Sequence, residues 1–389
     1  MKSQLLAVVL FVTLSPASPR AAQQRHPQLS VNLDQYGWKA PAFYADERVA
    51  ATDNYVAVTL DAKEPATGPT TTPAEPKSKL SLLIFEADNG KLNAKCGPWP
   101  VNGYFDLLPT AGGNFLLHLT LVSDANPHGA ETLLLLSPAC TQLKQVTLRD
   151  QGNAKNRSGH ILQSPSRQTL LLIEEEEGGR AYELRGSDTL DLKKQWFEPN
   201  STAPIIIGVS DKGFLGTLPP PSVVSKTSPI ADYYRTFEGD WRLLNVSDYF
   251  SFLSDDALVG TKDSAPESWK VSAAQVAAVR LDGTPVFSAR VARTGYHVER
   301  SSEISVSSDG KHVALILDFA GAGLVWGNLD MGPEHHFIYV WSVARPSPCA
   351  KIELRNWLDH PYLALSFGPD DLWFAVLVER SRLEIRPLP

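Results

Sequence analysis

A chain of 389 residues, 43% of them hydrophobic and 20% charged, has the apolar content to bury a sizeable core, which excludes an unfolded polar polymer. Its net charge of −7, with no long run of Lys and Arg, argues against nucleic acid as a partner, because phosphate binding requires a basic face. The three cysteines form no CxxC pair, so a zinc ribbon or a thioredoxin-like site has no support.

The chain opens with MKSQLLAVVLFVTLSPASPRAAQQ. Lys2 supplies a positive start, residues 5–14 an apolar run, and Pro16 a helix break, with small residues at Ala17 and Ala22 for cleavage. This pattern predicts a secretory signal peptide within residues 1–22, and hence a secreted or periplasmic protein. The apolar run is too short to span a bilayer and no later one is long enough, so no membrane span is expected.

From residue 29 the chain reads as strands. LSVNLDQY (29–36) stands alone. After it come RVAATDNYVAVTL from Arg48, YFDLLPTAGGNFLLHLTLV from Tyr104, GHILQSPSRQTLLLI from Gly159 and PIIIGVSDKGFLGTL from Pro204. YFSFLSDDALVGT from Tyr249, EISVSSDGKHVALIL from Glu303 and LALSFGPDDLWFAVLV from Leu363 continue the series. Each sets apolar or β-branched residues on both sides of a turn rich in Asp, Gly, Pro and Ser, which is hairpin chemistry. The turns, marked by Asp53, Ala111, Pro165, Asp211, Asp255, Asp309 and Asp370, recur about every 53 residues. A second strand–turn–strand pattern follows each hairpin but the last, from LSLLIFEADNGKLNAKC to FIYVWSVARPSPCAKIEL. The Ala-rich stretch SWKVSAAQVAAV from Ser268 falls where a third strand is needed, and its second half reads as strand.

Two hairpins make a four-stranded antiparallel blade, and blades stack because one alone cannot cover both faces. The expected fold is all-β: a seven-bladed β-propeller filling residues 29–389. The last repeat lacks an outer strand. Residues 29–36 are expected to supply it beside residues 382–388, closing the ring with an N-terminal strand and removing an exposed edge.

In such blades the second-to-third-strand loops and the blade connections leave one face, and the hairpin turns leave the other. The long insertions, such as DAKEPATGPTTTPAEPKSK and DFAGAGLVWGNLDMGPEHH, all belong to the first face. Long loops on a rigid scaffold are where binding resides. That face collects the candidate binding residues Trp99, Arg157, His160, Tyr296, His297, Arg300, Trp326, His335, His336, Trp357 and His360. Loop aromatics can grip a sugar ring or a peptide side chain. Trp196, Trp241, Trp341 and Trp373 lie in strand patterns and are expected to fill gaps between blades. His297, His335, His336 and His360 could share a neighbourhood suited to zinc. The simpler reading is separate loop histidines, so neither a metal nor a cofactor is expected. The starts of the innermost strands offer Arg48, Asp106, His160 and Glu303, too few carboxylates for a lactonase-type metal site. Cys96 and Cys140 can pair if adjacent repeats bring them together, the alternative being three separate thiols; Cys349 belongs to a distant repeat.

The turn SSDGKHVALIL resembles the Ser-Pro-Asp-Gly-Lys turn of TolB-type and related WD-repeat-like propellers, and FIYVWS (337–342) is similar to the third strand of a WD-type blade. The WD dipeptide and its Gly-His partner are absent. The resemblance implies a propeller and no particular activity, since the fold hosts enzymes, scaffolds and receptors. The functional expectation is an exported, monomeric binding or scaffold protein that recognises a protein, peptide or glycan partner through its long-loop face. The alternative is a propeller hydrolase or lyase at the channel mouth, using His160, Glu303 and Arg300. No GxSxG, HExxH, Walker or GxGxxG motif supports it, and no catalytic residue is assigned.

Overall fold

The computed structural model describes residues 28–37, 48–63, 78–123, 129–150, 160–176, 178–199, 204–218, 231–244, 251–263, 271–294, 296–321, 335–354, 364–379 and 381–388. The expected signal peptide lies outside them, as do Arg157, Trp326, Trp357 and His360.

Alternating apolar segments and polar turns fold as a succession of antiparallel strands. β1 (Leu29–Asn32) is followed by β2 (Val49–Ala51), β3 (Tyr55–Lys63), β4 (Ser78–Glu86), β5 (Leu92–Pro109), β6 (Phe115–Leu121), β7 (Ala130–Leu136) and β8 (Gln142–Asp150). β2 to β8 form one sheet in chain order. β5 serves twice: its first half pairs with β4 and its second half with β6, the two ladders meeting at Val101. It is thus the outer strand of one blade and the inner strand of the next.

Four-stranded sheets follow. The first holds β9 (His160–Gln163), β10 (Thr169–Glu176), β11 (Gly179–Gly186) and β12 (Leu192–Pro199). The next holds β13 (Ile205–Val209), β14 (Gly213–Leu218), β15 (Ala231–Thr236) and β16 (Arg242–Leu243). Then come β17 (Ser251–Ser254), β18 (Ala257–Asp263), β19 (Val271–Arg280) and β20 (Pro285–Thr294), and after them β21 (Tyr296–Val306), β22 (His312–Gly321), β23 (His335–Ser342) and β24 (Ala350–Leu354). The last sheet holds β25 (Leu365–Phe367), β26 (Trp373–Glu379) and β27 (Arg382–Pro387), with β1 on its outer edge: Leu29 faces Ile385 and Asn32 faces Arg382. This is the architecture of a β-propeller.

The core lies between blades. Middle strands such as β26, WFAVLVE, are apolar on both faces because a neighbouring blade covers each one. Leu116 and Leu133 pack with Leu170 and Leu172 of the next sheet, and Leu315 and Trp341 with Ala274 and Val276 of the preceding one. Val56, Leu83 and Phe85 pack with Trp373, Leu377 and Ile385, so the last sheet also shares a core with the first. Trp341 and Trp373 are wholly buried, as expected of gap fillers. Trp196 and Trp241 are only half-buried and flank the Arg235 guanidinium, whose carbon lies 5.8 and 4.7 Å from their ring centres. In the SSDGK turn, Gly310 has φ +69° and an added Cβ would stand 2.6 Å from the Leu253 carbonyl oxygen, so both conformation and space require glycine.

Several local expectations are corrected. The strand expected over residues 29–36 stops at Asn32, because the Asn32 side chain accepts the Asp34 N–H at 2.9 Å and starts a 3-10 turn, Leu33–Tyr36. Gly37 ends that turn at φ +87°. The Ala-rich stretch, by contrast, is strand in its second half as expected, from Val271 onward. Tyr296, His297 and Arg300, expected on a connection, lie within β21, where His297 pairs with Ala320. His335 and His336, expected in a loop, open β23 opposite Phe319 and Asp318. For β21 and β23 the ladder to β22 continues further than the sequence pattern implied.

Candidate functional site

The innermost strands β2, β9, β13, β17, β21 and β25, with the second half of β5, all line a single central cavity of about 450 Å³. Each strand starts at the end of the blades where the long insertions attach and finishes at the hairpin-turn end. Charge enters the cavity at two levels.

The upper level is the wall nearer the insertion end. Arg48, just ahead of β2, and Asp106 of β5 face each other with Nε and Oδ1 3.9 Å apart. Behind Asp106, in the blade, His118 of β6 is 95% buried. Its Nε2 lies 2.7 Å from the buried Glu131 carboxylate of β7, and its Nδ1 3.4 Å from Asp106. Burial works against a charged imidazole, but hydrogen bonds and charge attraction from Asp106 and Glu131 outweigh it and raise the pKa to about 9. His118 is therefore an imidazolium at neutral pH, with both nitrogens engaged. It can neither accept a proton nor ligate a metal; it holds Asp106 in place at the cavity wall.

The lower level is the turn end. Arg167, in the β9–β10 turn, is 94% buried. Its guanidinium donates to the Ala51 carbonyl at 2.8 Å and to the Phe367 carbonyl, the ends of β2 and β25. A side chain from the β9 blade reaches those two blades only by crossing the channel. Arg167, itself part of the cavity lining, therefore bridges the channel at its turn end. Burial lowers its pKa to about 10, opposed by the Asp371 and Asp53 carboxylates, so it remains a cation.

The structure places the expected site residues unevenly. Trp99 lies in β5, half-buried against the core shared by β4 and β6. His160 opens β9 but is exposed and takes no part in the cavity lining, which begins at Ile161. His335 stacks on Phe337 with ring centres 6.2 Å apart, and its Nδ1 is 3.8 Å from the Glu353 carboxylate; His336 is buried. β22 separates the strands carrying His297 and His335, so their backbones stand roughly 10 Å apart. The side chains of Tyr296, His297, Arg300 and Glu303 lie outside the described ones. Among the described residues no group of three or more His, Cys, Asp or Glu could hold a metal ion.

Arg48 and Asp106 were legible as strand starts. His118, Glu131 and Arg167 were missed. The available signal was a lone His in the apolar strand FLLHLTL and a Glu at the head of AETLLLL. A buried charge in such a strand needs a partner in the neighbouring strand. Nothing comparable marks Arg167 within its turn.

Cys96 of β5 and Cys140 of the β7–β8 turn form a disulfide, with Cα atoms 5.4 Å apart, and Cys349 is a free thiol. Adjacent repeats do bring the first pair together.

No protein-family model matches the chain, and no curated protein does. Among solved structures it is similar to the β-propeller domain of the Trilobed protease from Pyrococcus furiosus, at 9% identity and a TM-score of 0.47, over 86% of this chain and 90% of that one. It is similar to the WD40 domain of coronin from Toxoplasma gondii, at 10% identity and a TM-score of 0.42, over 94% and 87%. TolB from Acinetobacter baumannii shows 15% identity and a TM-score of 0.37, over 85% of this chain and 63% of that one. These are likenesses of fold, and the propeller assignment rests on the strand order given above.

Proposed function

We propose that this chain is an exported, monomeric binding or scaffold protein: a seven-bladed propeller, closed through β1, that holds a protein, peptide or glycan partner on its long-loop face. The observation that carries the reading is the central cavity. Inner strands from every sheet wall it, and Arg167 bridges it at the turn end, which leaves the end where the long insertions attach as the side favoured for a partner. Dividing the long sheet at β5 supports the reading of seven blades. The Cys96–Cys140 disulfide supports an oxidising compartment, in agreement with the N-terminal apolar run.

The test uses a partner recovered from the native envelope or medium, titrated calorimetrically into wild-type protein and variants. Trp326→Ala and Trp357→Ala are each expected to weaken binding by roughly 1–3 kcal/mol while leaving the melting temperature in place. Trp341→Ala is the control. It removes a fully buried side chain stacked on Tyr339, so it is expected to cost roughly 3–5 kcal/mol of stability. Loop variants that unfold the chain yet bind normally would overturn the choice of face.

A further inference from the structure

The inner strands carry their side chains in register, because a turn hydrogen bond fixes where each one ends. Thr110, Ser164 and Ser210 close the ladders of β5, β9 and β13, their N–H groups donating to the carbonyls of Asn114, Thr169 and Gly213 at 2.9 Å. Ser307 and Gly368 close β21 and β25 in the same way, on His312 and Trp373, and Ser254 faces Ala257 at the end of β17. Three and two positions ahead of these ends lie the residues that ring the middle of the cavity. On β5, β9 and β13 they are aliphatic: Leu107, Leu108, Ile161, Leu162 and Ile207. On β17, β21 and β25 one of each pair is a serine: Ser251, Ser305 and Ser366. The sheets of β5, β9 and β13 pack on one another in turn, and so do those of β17, β21 and β25. The cavity therefore has an aliphatic arc and, across from it, a hydroxyl arc.

The hydroxyl arc has hydrogen-bonding capacity to spare. Ser366 Oγ accepts the Ala51 N–H at 2.9 Å, and its own proton remains to be donated. Ser251 Oγ reaches only the carbonyl of its neighbour Phe252, at a long 3.4 Å. Ser305, half-buried on the lining, bonds no described residue through its side chain. The charged groups are already engaged: Arg48 faces Asp106, and Arg167 lies between two backbone carbonyls that would repel an arriving carboxylate. We propose that the central cavity is a pocket for one neutral sugar residue at the end of a glycan. Its hydroxyl edge bonds Ser251, Ser305 and Ser366, and its C–H face lies on Leu108, Leu162 and Ile207. A pyranose is polar at its rim and apolar on its face, which is the division the two arcs present. An aliphatic ligand would leave the serine hydroxyls unpaired in an enclosed site, and an ammonium or carboxylate would find its counter-ion taken. The volume of about 450 Å³ lies in the range of small-ligand sites. This inference rests on the binding reading above and selects the glycan among the partners named there.

Saturation-transfer NMR on the full chain tests this, with glucose, galactose and N-acetylglucosamine as neutral probes and glucuronate and glucosamine as charged ones. At least one neutral sugar is expected to receive saturation, and more of it than either charged probe at equal concentration. The double variant Ser251→Ala, Ser305→Ala removes hydroxyls that bond no other strand, so its melting temperature should not move. Its affinity for that sugar should fall about tenfold, the worth of two lost hydrogen bonds. Saturation confined to the charged probes, none on any neutral probe at about 20 mM, or an unchanged affinity in the double variant would overturn the pocket. The two readings fail separately. If binding of the envelope partner depends on Trp326 and Trp357 but not on Ser251 and Ser305, the long-loop face stands and the sugar pocket falls. If it depends on the serines and on neither tryptophan, the pocket stands and the choice of face falls.

Discussion

A buried imidazolium between two carboxylates makes a pH prediction of its own. The His118 pKa rises from 6.5 to about 9 on folding, so its stabilisation is complete below pH 6.5 and drains away as pH climbs through 9. A shift of that size corresponds to roughly 3 kcal/mol for so enclosed a group. Arg167 titrates above this window and Asp371 at its lower edge. Burial raises the Cys349 thiol from an ordinary value within it, so denaturation at pH 7.5–9.5 in a Cys349→Ser background isolates His118. Wild-type stability should fall across that range. His118→Gln should be less stable at pH 7.5, because Asp106 and Glu131 lose their shared cation, and its curve should be flatter. A His118→Gln curve parallel to the wild type would refute the assignment. The same residue shows where reading from sequence stops. Asp106 and His118 are twelve positions apart, and only the antiparallel register that sets one opposite the other reveals the ion chain.

At the level of elements, most of the hairpins could be read directly. Asp, Gly, Pro and Ser turns between apolar runs are local chemistry, and SSDGK, with a glycine that nothing else can replace, is the clearest of them. Segment ends were harder, because ladder pairing with a distant strand decides them: β21 takes in Tyr296 and His297, while β16 shrinks to two residues. The site suffers most from this. Its candidates were sought in loops, and the described ones proved to be strand residues. The Cys96–Cys140 bond ties β5 to the β7–β8 turn over a separation of 44 residues. Closing a loop of that length is worth about 2–4 kcal/mol, so reduction should lower the urea midpoint accordingly. Cys349 lies outside the loop, and Cys349→Ser protein should respond to reductant as the wild type does. A midpoint indifferent to reductant would mean that the bond stabilises nothing.

The whole molecule depends on how its two ends meet. β1 adds few hydrogen bonds, yet Val31 and Leu33 are buried in the cluster that holds Val49, Val56 and Phe85 of the first blade against Trp373, Leu383 and Ile385 of the last. The Leu33 N–H also bonds the Ser381 carbonyl at 2.7 Å, which fixes the chain beside β27. Removing this short segment should therefore weaken the seam between two blades as well as uncovering the β27 edge. Leu33→Ala is expected to cost roughly 2–5 kcal/mol, the usual range for a fully buried leucine. Deleting residues 28–37 should cost more and should lead to association through the bare edge, visible as concentration-dependent light scattering. Limited proteolysis places the damage: early cuts should fall in the first and last blades, with the β13–β20 region cut late. If the deletion variant stays monomeric and melts with the wild type, β1 is an accessory strand, and the ring is held by contact between the β2 and β26 blades alone.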